Sequence, residues 1–388
     1  MKYENRTPEG HLRNDGRPKR ILALDGGGLR GVLSLGILER VEDLLRERHG
    51  GSDDFRLCHY FDLIAGTSTG AIIAAALAQG WSVRELRQEY FSLGERVFEK
   101  SPFRKGFLRA KYDEQSLTHA LTDLFGADTT VGSDRLLTGL LVVTKRLDTG
   151  SPWPVSNNPA GRYFKAGFNG TLGNGDYLLW QIVRASTAAP SYFEPESITI
   201  SGPGGLNPVV GNFVDGGVSP FNNPALQALM YATLQGYGIG WPTGADRLLL
   251  VSVGTGSTDP VIRKSTLAAG HAVSALMSVM RDCAMLQETM LQWMSASPTA
   301  RPIDRELGDL DRDVLGPEPL LCYLRYDVDL SRESIRELDA AVVHSDRIDS
   351  LAEMDAPENM ELLHHLGTLA GKRDVDPLHF ESVFDLLP

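Results

Sequence analysis

Ser68 lies in Gly66-Thr67-Ser68-Thr69-Gly70, a G-x-S-x-G pentapeptide between the apolar residues 60–65 and the alanine-rich residues 71–78. That pattern sets a serine on a sharp strand-to-helix bend, with its hydroxyl exposed above the N-terminus of the helix. Small flanking residues matter, because a bulky neighbour would cover the hydroxyl and resist the bend. A serine hydroxyl is a weak nucleophile at neutral pH, so it needs a base for its proton and donors for the oxyanion formed on an attacked carbonyl. A second turn, Asp25-Gly26-Gly27-Gly28-Leu29-Arg30-Gly31, suits the second need. Without Cβ atoms, Gly26, Gly27 and Gly28 let successive N–H groups converge, and the helix after Gly31 adds its positive end. The Thr69 N–H joins them from the serine turn, and Arg30 brings a full positive charge toward the substrate.

For the base, a Ser-Asp-His order requires a downstream histidine. His271, His344, His364, His365 and His379 are available, but each stands in a helix-like or charged stretch instead of a strand-end loop. Asp215 is the better candidate. In Phe213-Val214-Asp215-Gly216-Gly217 a strand delivers a carboxylate into a glycine turn, a short reach from a serine on a neighbouring strand.

Taken in order, D-G-G-G-x-R-G, G-x-S-x-G and D-G-G resemble the motifs of the patatin-like phospholipases. Residues 61–70 (F-D-L-I-A-G-T-S-T-G), residues 185–193, Asn222-Asn223-Pro224 and residues 251–256 extend the likeness. It is strong over residues 20–256 and fainter to 371. The resemblance implies a Ser68–Asp215 dyad, with Ser68 as nucleophile and Asp215 as direct base, an oxyanion cradle at Gly26, Gly27 and Gly28, and Arg30 in the motif's basic position. It also implies a lipid acyl hydrolase working through an acyl-enzyme. A small-ester esterase or acyltransferase would use the same dyad, and a ligand-sensing module would keep the fold without the chemistry.

Strand, glycine turn, helix, strand, serine turn, helix is an alternating order. It predicts a three-layer α/β/α sandwich with a mostly parallel central sheet. Residues 20–25 form the first strand, and residues 32–48 a helix with Leu35, Leu38, Val41, Leu44 and Leu45 on one face. Residues 136–144 and 247–253 extend the sheet. The Gly-, Pro- and Asn-rich residues 148–176 suit a binding or lid segment, and residues 177–188 a helix that stops at Pro190. Residues 1–19 read as a mobile lead-in, 20–256 as the catalytic core, and 257–388 as a mainly helical part packed on the same domain. Near the C-terminus, Asp355 and Glu358 read as a capping box with Pro357 in the first turn. The helix it opens carries Leu362, Leu363, Leu366 and Leu369, with Gly371 as its stop.

The 388 residues carry 38 Lys and Arg against 50 Asp and Glu, a net charge of -12, which argues against a partner bound through nucleic-acid phosphates. Cys58, Cys283 and Cys322 are far apart and form no C-x-x-C, as expected in a reducing compartment. With no signal-like apolar stretch near Met1, cytoplasmic residence with transient contact at a membrane surface is the expectation. Lys100, Phe103, Arg104, Lys105, Phe107, Arg109 and Lys111 interleave basic and apolar side chains. They read either as a docking patch for anionic headgroups or as a solvated loop with buried rings. Met277, Met280, Met285, Met290 and Met294, with Leu276, Leu286, Leu291 and Trp293, read as a core helix or as an adaptable wall for acyl chains. No His, Cys and carboxylate cluster has metal-ligand spacing, so no metal or cofactor is expected. Gly26, Gly28 and Gly31 also satisfy G-x-G-x-x-G. The acid that a dinucleotide site needs after the next strand falls instead at Asp43 and Glu47, within a helix, which disfavours that reading.

Overall fold

The computed structural model describes residues 7–97, 112, 114–167, 171–190, 192–201, 208–257, 268–342 and 347–386. The basic-aromatic stretch at residues 100–111, His344, and the side chains of His271, Leu276 and Met277 lie outside the described residues.

The strands are β1 (Lys19–Leu24), β2 (Leu63–Thr67), β3 (Gly139–Arg146), β4 (Pro152–Ser156), β5 (Glu196–Ser201), β6 (Val209–Asp215), β7 (Leu248–Val253), β8 (Ser295–Ala296) and β9 (Leu321–Tyr326). They form one sheet in the order β5-β6-β3-β2-β1-β7-β9-β8, with β4 also on β3. The pairs β3–β2, β2–β1, β1–β7, β7–β9 and β9–β8 are parallel, and β4, β5 and β6 enter antiparallel. The expected α/β architecture with a mostly parallel sheet is therefore the observed one.

The helices are α1 (Pro8–Leu12), α2 (Gly31–Arg48), α3 (Leu57–Tyr60), α4 (Thr69–Ala78), α5 (Val83–Val97), α6 (Glu114–Phe125), α7 (Leu179–Ser186), α8 (Ala225–Thr233), α9 (Ala268–Met294), α10 (Arg332–Leu338) and α11 (Met360–Asp374). Side chains of β1 alternate between two cores: Leu22 and Leu24 pack under α2, α4 and α11, while Ile21 and Ala23 pack under α8. Every residue of α4 is buried, which its alanines permit by letting the helix sit close on β2.

Several expectations need correction. The strand before Ser68 starts at Leu63, and residues 57–60 are helical. Asp62 sets that boundary: its carboxylate accepts from the Arg20 N–H at 3.0 Å and the Arg20 Nε at 3.0 Å, and meets His11 Nδ1 at 2.9 Å. Burial alone would raise its pKa, but Arg20 and His11 hold the carboxyl well below the usual range. The same contacts contradict a mobile lead-in for residues 7–19. His11 and Leu12 are buried, Lys19 Nζ donates to the His11 carbonyl at 2.9 Å, and Trp241 Nε1 donates to the Leu12 carbonyl at 3.1 Å.

The segment after residue 256, expected to be mainly helical, also contributes β9, which joins the sheet beside β7 with all six residues buried. Residues 148–176 contain β4, and none of the described ones lines the cavity described below. Asp355 caps no helix; it accepts from the Tyr112 hydroxyl at 2.6 Å. Gly371 is no stop either, because α11 continues to Asp374. A Cβ there would lie 3.2 Å from the Ile37 Cα, and one on Gly367 would lie 2.1 Å from the Leu33 carbonyl oxygen, so these glycines let α11 seat closely on α2.

Candidate active site

The register around β3 brings two turns face to face. β4 occupies one edge of β3 over residues 141–145, so β2, paired at residues 139–143, and β6, paired at 144–146, must share the other edge. Because β2 is parallel and β6 antiparallel to β3, their C-terminal ends meet head to head. Ser68 follows one end and Asp215 closes the other.

At the first end the chain bends hard. Ser68 has φ 55° and ψ -125°, a conformation that side chains with a Cβ rarely adopt and that marks strained functional turns. Glycines make the bend passable: a Cβ on Gly66 would lie 2.2 Å from the Gly70 oxygen, and one on Gly70 would lie 2.1 Å from the Leu24 oxygen. The Ser68 N–H donates to Ser186 Oγ at 2.9 Å, and Ser186 Oγ donates to the Val143 carbonyl at 2.6 Å. Ser186 sits in the A-S-T-A-A-P run of residues 185–190, whose sequence carries no signal of this bracing part.

Ser68 Oγ donates to Asp215 Oδ2 at 2.6 Å, and the Gly217 N–H donates to Asp215 Oδ1 at 2.7 Å. Burial pushes the Asp215 carboxyl up to about 6, against the lowering pull of those two hydrogen bonds. A carboxylate so tuned is both a competent proton acceptor at neutral pH and a readier base than an exposed aspartate.

The glycine turn is only partly available as an anion cradle. Gly26 donates its N–H to the Asn222 carbonyl at 3.0 Å, so the expected donor role for Gly26 is corrected. Among the described residues the N–H groups of Gly27, Gly28 and Thr69 donate no hydrogen bond. Gly28 has φ +59°, and a Cβ there would lie 2.3 Å from the Met354 oxygen; one on Gly27 would lie 2.1 Å from Thr255 Oγ1. Tyr90 links the two turns, accepting from Thr69 Oγ1 and donating to the Gly28 carbonyl at 2.9 Å.

Arg30 does not line the cavity. Its Nε is buried without a partner among the described residues, and burial lowers its pKa against the pull of Asp327, Tyr192 and Asp25. Asp25 also points away from Ser68, toward Arg325. Gly31, Gly66 and Gly70 serve as close-contact positions. Gly216 fits against the Val143 oxygen, 2.3 Å from where its Cβ would be, and Gly217 supplies the N–H to Asp215. The described candidate histidines are engaged elsewhere: His364 with Glu39, His365 with Asp339 and His379 with Tyr326.

Ser68, Asp215, Gly27, Gly28 and Thr69 open on a cavity of about 130 Å³. Its remaining wall is mostly apolar, with Ile72, Leu117, Phe193, Met280 and Met354 among the contributors. Met280 is thus a wall residue, while Leu291 of the same helix is core and Leu286 and Trp293 are exposed. Of the α9 methionines, Met294 packs against a core and Met285 is exposed. Among the described residues no metal-binding cluster occurs and no helix is long and apolar enough to cross a membrane.

A family model described as patatin-like phospholipase matches residues 22–229, more than half of the chain. The chain belongs to the patatin-like phospholipase family. Within that family it is 33% identical over 196 residues to a "cGAMP-activated phospholipase" of Vibrio cholerae, covering 48% of this chain and 51% of that protein. It is 31% identical over 219 residues to a protein of the same description in Escherichia coli, covering 54% and 55%. Patatin-17 of Solanum cardiophyllum is 29% identical over 253 residues, covering 61% and 60%. The chain spans about half the length of the two bacterial relatives. The family match ends before β7, so β7 and β9, Met280, Arg325 and Met354 come from outside it.

Proposed function

We propose that the chain hydrolyses acyl esters of phospholipids or related lipids by a Ser68–Asp215 dyad, with residues 20–256 as the catalytic core and the later segment completing its walls. The reading rests on the 2.6 Å hydrogen bond from Ser68 Oγ to Asp215 Oδ2 beside a set of unspent N–H groups. Asp215 takes the hydroxyl proton as Ser68 Oγ attacks the ester carbonyl. The resulting oxyanion is held by the N–H groups of Gly27, Gly28 and Thr69, donors placed where charge develops. Asp215 then returns the proton to the leaving alcohol. Water, deprotonated by the same carboxylate, cleaves the acyl-enzyme and releases a fatty acid. An apolar wall containing Ile72, Leu117 and Phe193 favours an acyl chain over a polar substituent, since an unpaired polar group there would lose its hydration.

The protein would meet its substrate at a membrane surface from the cytoplasmic side, with Lys100, Arg104, Lys105, Arg109 and Lys111 as the proposed headgroup contacts. Replacing Ser68 by alanine should lower lipid hydrolysis by about 10⁴-fold or more, the scale of losing a catalytic nucleophile. It should also abolish labelling by a fluorophosphonate. A folded Ser68→Ala protein that releases fatty acid as fast as the parent would remove the proposal. Release from short esters but not from phospholipid vesicles would shift it to the small-ester reading.

A further inference from the structure

Asp25 stands immediately before the cradle glycines, yet its carboxylate neither lines the cavity nor touches Ser68 or Asp215. Both of its oxygens are taken by one guanidinium. Arg325 Nη1 donates to Oδ1 at 3.1 Å and Nη2 to Oδ2 at 2.7 Å. Arg325 belongs to β9, two strands from β1, and reaches across β7, where Nη1 also donates to Ser252 Oγ at 2.7 Å. Its Nη2 further donates to Asp327 Oδ2 at 3.1 Å.

Asp327 in turn ties this group to the turn that follows β7. Its Oδ1 accepts from the Gly256 N–H at 2.9 Å, and a Cβ on Gly254 would lie 2.2 Å from that oxygen. Between those two glycines, Thr255 Oγ1 donates to the Gly26 carbonyl at 3.0 Å and fills the space where a Gly27 side chain would be. The guanidinium therefore joins the two loops that flank Gly27, and Asp25 and Arg325 are both buried.

A buried ion pair is a poor source of net stability, because desolvating both charges offsets most of their attraction. A bidentate guanidinium–carboxylate pair does impose orientation, since two parallel bonds fix the plane of each group. We propose that Arg325 is a positioning residue for catalysis: through Asp25 it holds the turn so that the Gly27 and Gly28 N–H groups point at the oxyanion, a part played from a strand outside the region matched by the family model. The proposal rests on the lipid acyl hydrolase reading above. It differs from a purely structural part in acting on the transition state more than on substrate binding.

The test uses the full chain with Arg325→Met, Arg325→Lys, Asp25→Asn and the Arg325→Met/Asp25→Asn double variant. Thermal melting reports folding, and exhaustive fluorophosphonate titration counts competent Ser68. Per titrated site, kcat should fall about 10- to 100-fold, below the loss expected for deleting a donor outright, with KM within about twofold. A trifluoromethyl ketone lipid analogue, whose adduct with Ser68 carries an oxyanion, should weaken by the same factor as kcat/KM. The pH midpoint of kcat/KM should stay where Asp215 sets it, Arg325→Lys should recover part of the loss, and the double variant should be no worse than the poorer single one. If Arg325→Met fails to fold, Asp25→Asn, which keeps the side-chain shape, decides alone. A folded variant with kcat per site within twofold of the parent would overturn the proposal, as would a loss accounted for by the folded fraction. A parent that never reacts with fluorophosphonate would instead overturn the hydrolase reading, and this proposal with it.

Discussion

The two turns of the site are built in different ways. Around Ser68 the glycine contacts are local or one strand away, Gly66 against Gly70 and Gly70 against Leu24, with Ser186 as a remote brace on the Ser68 N–H. The Asp25–Gly31 turn is shaped by distant segments, namely Asn222 on Gly26, Thr255 on Gly27, Met354 on Gly28 and Arg325 on Asp25. A nucleophile needs one strained residue in one conformation, which neighbouring glycines can permit. A set of donors must be aimed at a point in space, and that takes restraints from several directions. Damage near Ser68 should therefore be all-or-none, whereas damage behind the glycine turn should be graded.

The largest effect should come from Gly70→Ala. The added Cβ would meet the backbone oxygen of Leu24 at 2.1 Å, where no flexible side chain can yield. The clash should cost at least about 1–3 kcal/mol, the range for overpacking a close-packed site. A lowered melting temperature together with lost fluorophosphonate labelling would show the elbow failing as a unit. Retained labelling would break the contrast between the turns.

Titration of Asp215 should be next in size. The base must be ionised, so with its carboxyl near 6 the value of kcat/KM should fall about tenfold per pH unit below that point. Stability should run the opposite way. An aspartate raised from 3.8 to about 6 keeps its proton in the folded state after the unfolded chain has released it, so its burial costs stability increasingly from pH 4 to 6 and in full above that. Asp215→Asn should then be inactive yet more stable at pH 7.5, on the order of 1–3 kcal/mol, with the gain gone below pH 4. Melting curves at both pH values check the sign. An Asn variant less stable than the parent at pH 7.5 would place the carboxylate among stabilising groups and contradict its burial cost.

Thr255→Val should have the smallest effect. It keeps the shape against Gly27 but removes the hydrogen bond to the Gly26 carbonyl, worth about 1 kcal/mol. A several-fold loss in kcat at unchanged KM would sharpen the picture of a graded cradle. An effect as complete as that of Gly70→Ala would erase the distinction between the two turns.

Much of this is legible in the amino-acid sequence. Apolar runs ending in glycine turns marked β1 and β2, and the alanines after Gly70 marked α4, because strand and helix periodicities are local properties. Ser68, Asp215 and the glycine turn were all nameable from their flanks. The C-terminal half was harder. Gly371 reads as a helix stop, although tertiary contact with α2 makes it an interior residue, and Asp355 reads as a cap although Tyr112 claims it. Arg325 carries no local signal, since one arginine in an apolar run does not reveal a partner 300 positions earlier.

Amino-acid order alone determined which bends could exist, because only glycine readily takes the φ of +59° at residue 28 or avoids the conflict of residue 66 with residue 70 four places on, and both are local properties of the chain. It also determined the alternation that makes a layered α/β fold. The folded arrangement alone decided that β2 and β6 run toward each other along one edge of β3, so that groups 147 residues apart share a proton at 2.6 Å. It decided too that Gly26 spends its N–H on Asn222 while Gly27 and Gly28, among the described residues, keep theirs. Strand direction and the fate of each backbone donor depend on pairings between remote segments, and those acquire an energy only when the whole sheet is assembled.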